Sequence, residues 1–456
     1  MLLVRTTLFL GCALALLAQS DTQQPDSSQP DASQASSGDE YSGPAILSRG
    51  EIPAAQTIAP IAFRPYIGVA GIYDSGLIPV SVTSTGSIPA ENLWGVEANA
   101  GAYTYHVWKH TTLGLDYRGD FRHYSDTYWD GTDQFLSLIL THRPTRRVTF
   151  TLREQGGLYT NNYFLASIGP SVETNYLQLP QNDIYDNRVV FAGVSADLTY
   201  QLTRRLSVNF GGEGSVVRRQ SSALYGMSGA VARADLEYRI SRHSTLGVDY
   251  RYTYFDYTKG FGNSDIHSVG LNYSTAFSPH LQLSARVGGA RVESTSLAAV
   301  TLDPAIAALL GETVAIQASF LRNYVPDMQI RLADTYRRSQ LTLTYANQVI
   351  PGNGIYLTSR NNTGSGSYSY TGIRHWNFGV NGTYGKMTTL VQDIGAYTAY
   401  GGGGGVTRDL GRGLHAVLRL DVRHYDIASG ALFTNTERRV SLGINFSPGD
   451  LPLVLW

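Results

Sequence analysis

The chain of 456 residues contains one cysteine, Cys12. That excludes an intrachain disulfide framework and any cysteine-rich zinc or iron-sulfur site. Charge is also scarce: only 16% of residues are Asp, Glu, Lys or Arg, and 35 bases against 36 acids leave a formal net charge of -1. With a pI near 6.8 there is no global positive field, so nucleic-acid binding is not expected. Past the amino terminus no helical run approaches the roughly 20 apolar residues that a membrane-spanning helix needs. His-Glu-x-x-His, paired cysteines and Gly-x-Ser-x-Gly are all missing, and the ten histidines are scattered near turns and strand ends. Neither metal ligation nor enzymatic catalysis has a motif here, and no cofactor is expected.

Against these absences stand 48 glycines and 30 tyrosines. The mean hydropathy of -0.14 looks like that of a soluble protein. A wall that alternates lipid-facing with water-facing residues averages to the same value, because hydropathy cancels over a period of two. Composition therefore leaves the membrane open.

Met1 to Ser20 reads MLLVRTTLFLGCALALLAQS: a charge at Arg5, an apolar stretch from Thr6 to Ala18, then small residues. This pattern predicts a secretory signal peptide over residues 1–20, whose removal takes the lone cysteine with it. Residues 21–60 begin with a stretch dominated by Ser, Gln, Asp, Pro and Gly, too polar to offset the entropy of ordering, and are expected as a disordered leader.

From about residue 62 the period is two. Leu113, Leu115, Tyr117, Gly119 and Phe121 share one face, with Asp116, Arg118, Asp120 and Arg122 on the other. The pattern returns at Ala230, Ala232, Ala234, Leu236 and Tyr238 against Arg233 and Asp235, and at Leu246, Val248 and Tyr250 against Asp249 and Arg251. Near the end, Leu414, Leu418, Leu420 and Val422 oppose Arg419, Asp421 and Arg423, and Val440, Leu442, Ile444 and Phe446 oppose Arg439 and Asn445. The polar face is too charged for the core of a sandwich.

Short turns are expected near Trp108-Lys109, Arg143-Pro144, Thr203-Arg204, Ser241-Arg242, Pro279-His280, Tyr336-Arg337, Ile373-Arg374 and Gly411-Arg412. Longer connections alternate with them near 73–91, 124–131, 159–186, 218–223, 258–263, 296–322, 350–363, 388–392 and 427–435. Eight turns and nine loops join about 18 strands, with 16 as the alternative count. Hydrocarbon cannot satisfy an open sheet edge, so strands of this kind must close, with the first strand (about 62–72) against the last (about 436–447). The fold class expected is all-β: a single closed antiparallel transmembrane barrel over residues 61–456. Tyrosines near strand ends, such as Tyr103-Tyr105 and Tyr368-Tyr370, suit rings at headgroup level.

The leader, the long alternating strands, the basic tight turns and the closing strand together resemble a bacterial outer-membrane β-barrel of the porin-like superfamily, over roughly residues 60–456. The resemblance is one of architecture. It implies outer-membrane localisation, periplasmic turns, extracellular loops, a periplasmic position for the leader, and contact with outer-membrane lipid and lipopolysaccharide. It also implies delivery by the barrel-assembly machinery, which reads a terminal aromatic residue, here Phe446 or Trp456, and a homo-oligomeric state.

Pore formation follows for a barrel of this size, since 16 to 18 strands enclose an aqueous channel unless something plugs it. The expected function is passive diffusion of small hydrophilic solutes; the alternative is a structural or adhesion barrel without transport. Lumen-lining residues are expected to be Asp116, Arg118, Asp120, Arg122, Arg153, Arg233, Asp235, Asp249, Arg251, Arg286, Arg419, Asp421 and Arg423. Loop 296–322 is a candidate constriction or cap, with a short helix predicted from Asp303 to Leu310. Gly401 to Gly405 lacks the Gly-Lys-Ser/Thr of a phosphate loop and is expected to allow close packing within a strand.

Overall fold

The computed structural model describes residues 61–77, 90–160, 188–221, 224–258, 262–301, 314–391, 395–428, 433–448 and 451–452. All belong to one structural unit, Ser42–Trp456. The expected signal peptide and leader, the predicted helix from Asp303 to Leu310, most of loop 159–186 and Trp456 lie outside the described residues.

Eighteen long strands make the wall. They are β1 (Ile61–Leu77), β2 (Glu91–Val107), β3 (Thr111–Tyr124), β4 (Gly131–Thr145), β5 (Val148–Tyr159), β6 (Val189–Gln201), β7 (Leu206–Arg219), β8 (Gly226–Arg239) and β9 (Ser244–Thr258) in the first half. The second half has β10 (Gly262–Ala276), β11 (Leu281–Thr301), β12 (Val314–Thr335), β13 (Ser339–Gly352), β14 (Leu357–Ile373), β15 (Trp376–Thr389), β16 (Ala396–Gly411), β17 (Leu414–Ala428) and β18 (Phe433–Phe446). Each pairs antiparallel with its sequence neighbours, and β1 closes on β18 in a register running from Ile67 opposite Phe446 to Ser75 opposite Arg438. A two-residue strand, β19 (Leu451–Pro452), continues past β18 and pairs with Phe63 and Ala62. Closure leaves the wall without a free edge, which is what hydrocarbon demands of a spanning sheet.

Eight short turns at one end and nine connections at the other match the alternation in the sequence, with four local differences, one of them that the expected connection 350–363 narrows to 353–356. The β4–β5 turn falls at Arg146-Arg147 rather than Arg143-Pro144; β4 runs through Pro144 to Thr145, with a register shift between His142 and Thr145. Pro144 cannot donate to the ladder, so an irregular strand end accommodates it. The first connection starts later than expected, because β1 runs to Leu77 and thereby places Asp74 inside a strand. Most of 296–322 is strand, not loop: β11 extends to Thr301, β12 begins at Val314, and the two pair throughout. The β-branched and apolar residues of these flanks pay for extension in ladder hydrogen bonds that a loop would lack.

The outer face carries a band of apolar side chains. Val269 and Leu271 on β10, Val380 on β15, and Leu442 and Ile444 on β18 are all more than half exposed, whereas their chain neighbours Gly270, Asn445 and Ser268 are buried on the opposite face. Exposure of this much apolar surface has a physical rationale only against lipid. Val269→Arg, near the middle of β10, should therefore destabilise the barrel by ~2–4 kcal/mol, read as a lower urea midpoint in phospholipid vesicles. Asn272→Arg, on the inner face of the same strand, should leave that midpoint nearly unchanged.

Candidate pore lining and constriction

Alternation sets the inner face. In β9, Asp249, Arg251, Thr253, Phe255 and Tyr257 are buried, while Leu246, Val248 and Tyr250 between and before them are exposed on the outside. The pairing of β8 through β12 then lines up the inner charges. Arg286 Nε donates to Asp249 Oδ1 at 2.9 Å and Nη2 to Asp249 Oδ2 at 2.6 Å. Its Nη1 lies 2.6 Å from Asp327 Oδ2, and Arg251 approaches the same carboxylate at 3.8 Å. On the next strands Arg233 Nε donates to Asp197 at 3.1 Å and its guanidinium is 3.6 Å from Glu213. Asp235 accepts from Asn209 Nδ2 at 3.1 Å. Charge-assisted, often forked bonds of this kind hold guanidinium planes flat against the wall.

A second group surrounds β3. Arg118 bonds Asp116 two residues along the strand and lies over the Phe135 ring at 5.5 Å. Asp120 pairs in register with Asp133, whose Oδ2 accepts from Arg122 Nη1 at 2.8 Å. Arg122 also donates to the Thr160 carbonyl at 2.5 Å, and Thr160 N donates back to Asp133 at 2.9 Å. Arg153 borders the first group, lining a small polar recess on β5–β7 with Gln155, Ser195, Glu213 and Ser215.

The third group spans the closing seam. Arg419 is forked on Asp421 at 2.6 and 3.0 Å, and Arg423 donates to the Tyr397 hydroxyl at 2.8 Å. Gly403 lies under this group: a Cβ there would meet Asp421 Oδ1 at 2.2 Å, so the glycine run clears space for β17 side chains. Across the seam Arg439 donates to both oxygens of Asp74, at 2.6 and 2.7 Å, and to the Tyr124 hydroxyl at 2.8 Å. Asp74 is fully buried.

The residues that complete these groups, Asp74, Asp197, Glu213, Asp327 and Arg439, are absent from the sequence-based set. Each is one partner of a pair separated widely in the chain, and only strand register brings the two together. Asp74 was further concealed by its place in the expected loop 73–91.

The inner surface is not open along its full height, because the β13–β14 hairpin tip leaves the wall. Pairing of β12 with β13 ends at Met328 opposite Asn347, while β13 continues to Gly352 paired only with β14. The tip reaches strands that are not its neighbours. Tyr257 Oη on β9 donates to the Pro351 carbonyl at 3.1 Å and lies 2.9 Å from Thr358 Oγ1, and Thr358 N donates to it at 2.5 Å. Ser264 on β10 bonds Thr358 Oγ1 at 2.6 Å, and Tyr225 N donates to the Gly354 carbonyl at 3.1 Å. Tyr257 and Ser264 both face inward, so the tip enters the barrel.

Local sequence explains the shape. Asn353 Oδ1 accepts from the amides of Ile355 and Tyr356, and Gly352 and Gly354 take φ of +83° and +98°, which side chains with a Cβ resist. The tip is apolar. Leu357 packs in one buried cluster with Val217, Met227, Phe255, Ile266 and Val292, and Ile350 and Tyr356 pack in another with Met387, Tyr397 and Tyr425. Both clusters sit on the inner face, so burial of these groups draws the hairpin inward. From the sequence, 296–322 is a candidate constriction or cap, and residues 302–313 of it lie outside the described residues; the inward tip carries PGNGIYL, an apolar run around a Gly-Asn-Gly turn.

A closed antiparallel wall with an apolar outside and paired charges inside is the architecture of a transmembrane β-barrel. No protein-family model matches the chain, and no curated protein sequence matches it. Among solved structures the chain is similar to Pseudomonas aeruginosa OccK2 (OpdF), a structure in complex with glucuronate, at 12% identity and a TM-score of 0.42, covering 84% of this chain and 98% of that one. It is similar to OccK7 (OpdD) of the same organism at 14% identity and a TM-score of 0.40, covering 86% and 100%. Acinetobacter baumannii OccAB4 gives 12% identity and a TM-score of 0.39, covering 87% and 99%.

Proposed function

We propose that the protein is an outer-membrane channel for passive diffusion of small hydrophilic solutes, narrowed at its loop end by the β13–β14 hairpin. The observation that carries this reading is the inner wall, where charges of both signs line three sectors while lipid-compatible side chains occupy the outside. A barrel serving only as a structural anchor has no need to keep ionised groups on its inside, where burial penalises any that lack a partner. Asp116, Arg118, Asp120, Arg122, Arg153, Arg233, Asp235, Asp249, Arg251, Arg286, Arg419, Asp421 and Arg423 are proposed to line the solute path. Because acids and bases alternate around it, the local field runs across the path and favours small polar molecules over apolar ones. The same reading includes contact with outer-membrane lipid and lipopolysaccharide, delivery by the barrel-assembly machinery, and no catalytic chemistry.

Purified protein in planar bilayers should give discrete conductance steps. Absence of steps, in protein whose heat-modifiable gel migration shows an intact barrel, would overturn the reading and favour the structural one.

A further inference from the structure

Seven of the eight short turns carry Lys or Arg, a composition that pore formation does not explain. Ten of the chain's 35 Lys and Arg residues stand in them, and not one Asp or Glu does, in a chain whose acids and bases otherwise balance. Lys109, Arg146, Arg204, Arg242, Arg337 and Arg374 are all exposed. Among the described residues Glu237, Asp334 and Asp409 are the acids nearest this end, and each lies within a strand. The turns therefore form a cationic ring around one end of the barrel.

A second feature coincides with the first. The outward alternation does not stop short of the turns but runs up to them: Trp108, Leu202, Ile240, Phe277, Tyr336 and Leu410 are each 43–64% exposed. Each is followed within three residues by Lys, Arg or His: Lys109, Arg204, Arg242, His280, Arg337 and Arg412. Exposed apolar side chains and basic residues thus follow one another around the rim, separated by at most two residues. This is the arrangement by which a protein sits at a bilayer surface, with the anchor at the acyl boundary and the cation at phosphate level.

We propose that this ring binds anionic phospholipid headgroups of the leaflet on the short-turn side, and so fixes the depth of the barrel and selects its boundary lipid. A soluble acidic partner would be served by the cations alone. The outward anchors, continuous with the lipid-facing wall, point to a ligand that has both a phosphate and an acyl chain. Each base near an anionic surface contributes on the order of 1 kcal/mol, so a preference for the charged lipid of about fivefold is expected at low salt.

The test uses the full-length barrel in vesicles of phosphatidylcholine containing spin-labelled phosphatidylglycerol or spin-labelled phosphatidylcholine. The fraction of immobilised label gives relative affinity for the barrel surface. Phosphatidylglycerol should be preferred about fivefold at 10 mM salt, and the preference should fall toward unity at 1 M, where the Debye length is about 3 Å. A variant with K109Q, R204Q, R242Q, R337Q and R374Q should lose most of the preference. R291Q with R322Q, at the opposite end of the wall, should keep it. Unchanged heat-modifiable migration of both variants separates lipid selection from misfolding. Equal affinity for the two lipids in the unaltered protein overturns the proposal, as does a preference that the turn variant retains. Equal affinity accompanied by turn-dependent binding of polyglutamate also overturns it, and would assign the ring to an acidic protein. None of these outcomes depends on whether the barrel conducts.

Discussion

Shortening the β13–β14 hairpin is expected to raise single-channel conductance severalfold. Ile350 and Ser359 are directly opposite in register, so replacing residues 351–358 with Asn-Gly gives a two-residue turn that fits the flanking strands without strain. The replacement removes Pro351, Gly354, Leu357 and Thr358, which carry the contacts to β8, β9 and β10. It leaves the β13–β14 ladder from Asn347 downward intact. Planar-bilayer recording on the shortened protein gives the answer directly, and an unchanged conductance would mean that the hairpin does not limit flow. Tyr257→Phe offers a milder version. It deletes one hydroxyl that meets three groups of the tip, a loss of ~1–3 kcal/mol if the abandoned partners stay buried. The wall is untouched, so the expected result is more frequent opening events rather than a larger pore.

The second large effect concerns the seam. Arg439→Met should destabilise the barrel by ~3–5 kcal/mol, because it leaves the fully buried carboxylate of Asp74 with only the Tyr124 hydroxyl as a partner of comparable strength. The pair joins the first strand to the last, 365 positions apart, so its loss acts on closure itself. The urea midpoint of refolding into vesicles measures the cost. Asp74→Leu combined with Arg439→Met should recover much of it, since a matched apolar pair carries no uncompensated charge. A single Arg439→Met variant as stable as the original protein would show that water or another cation reaches Asp74.

Much of the architecture was legible because its signal is local. A period of two over Leu113–Phe121 or Leu246–Tyr250 needs only neighbouring residues to be seen, and the turn chemistry at Ser241-Arg242 or Tyr336-Arg337 is equally local. The closing pair of strands could be named because closure is obligatory in lipid. The partners of the inner charges were not legible. Arg286 meets Asp249 and Asp327 only because β9 to β12 adopt one register among several that a flexible loop would permit, and a slip of one residue would turn the whole set outward. The inward course of the hairpin tip was not legible for a related reason. An apolar connection signals burial, but whether it buries inside or above the barrel depends on the apolar patch formed by Val217, Phe255, Ile266 and Val292, which exists only once four strands are aligned.

The sequence by itself determined the strand count, the faces, the alternation of basic turns with longer connections and the need to close, since each follows from backbone hydrogen bonding and the side-chain period. Tertiary structure alone decided which charge answers which, and that the segment around Asn353 enters the lumen, because register and inner-surface complementarity are properties of the assembled wall and of no single strand.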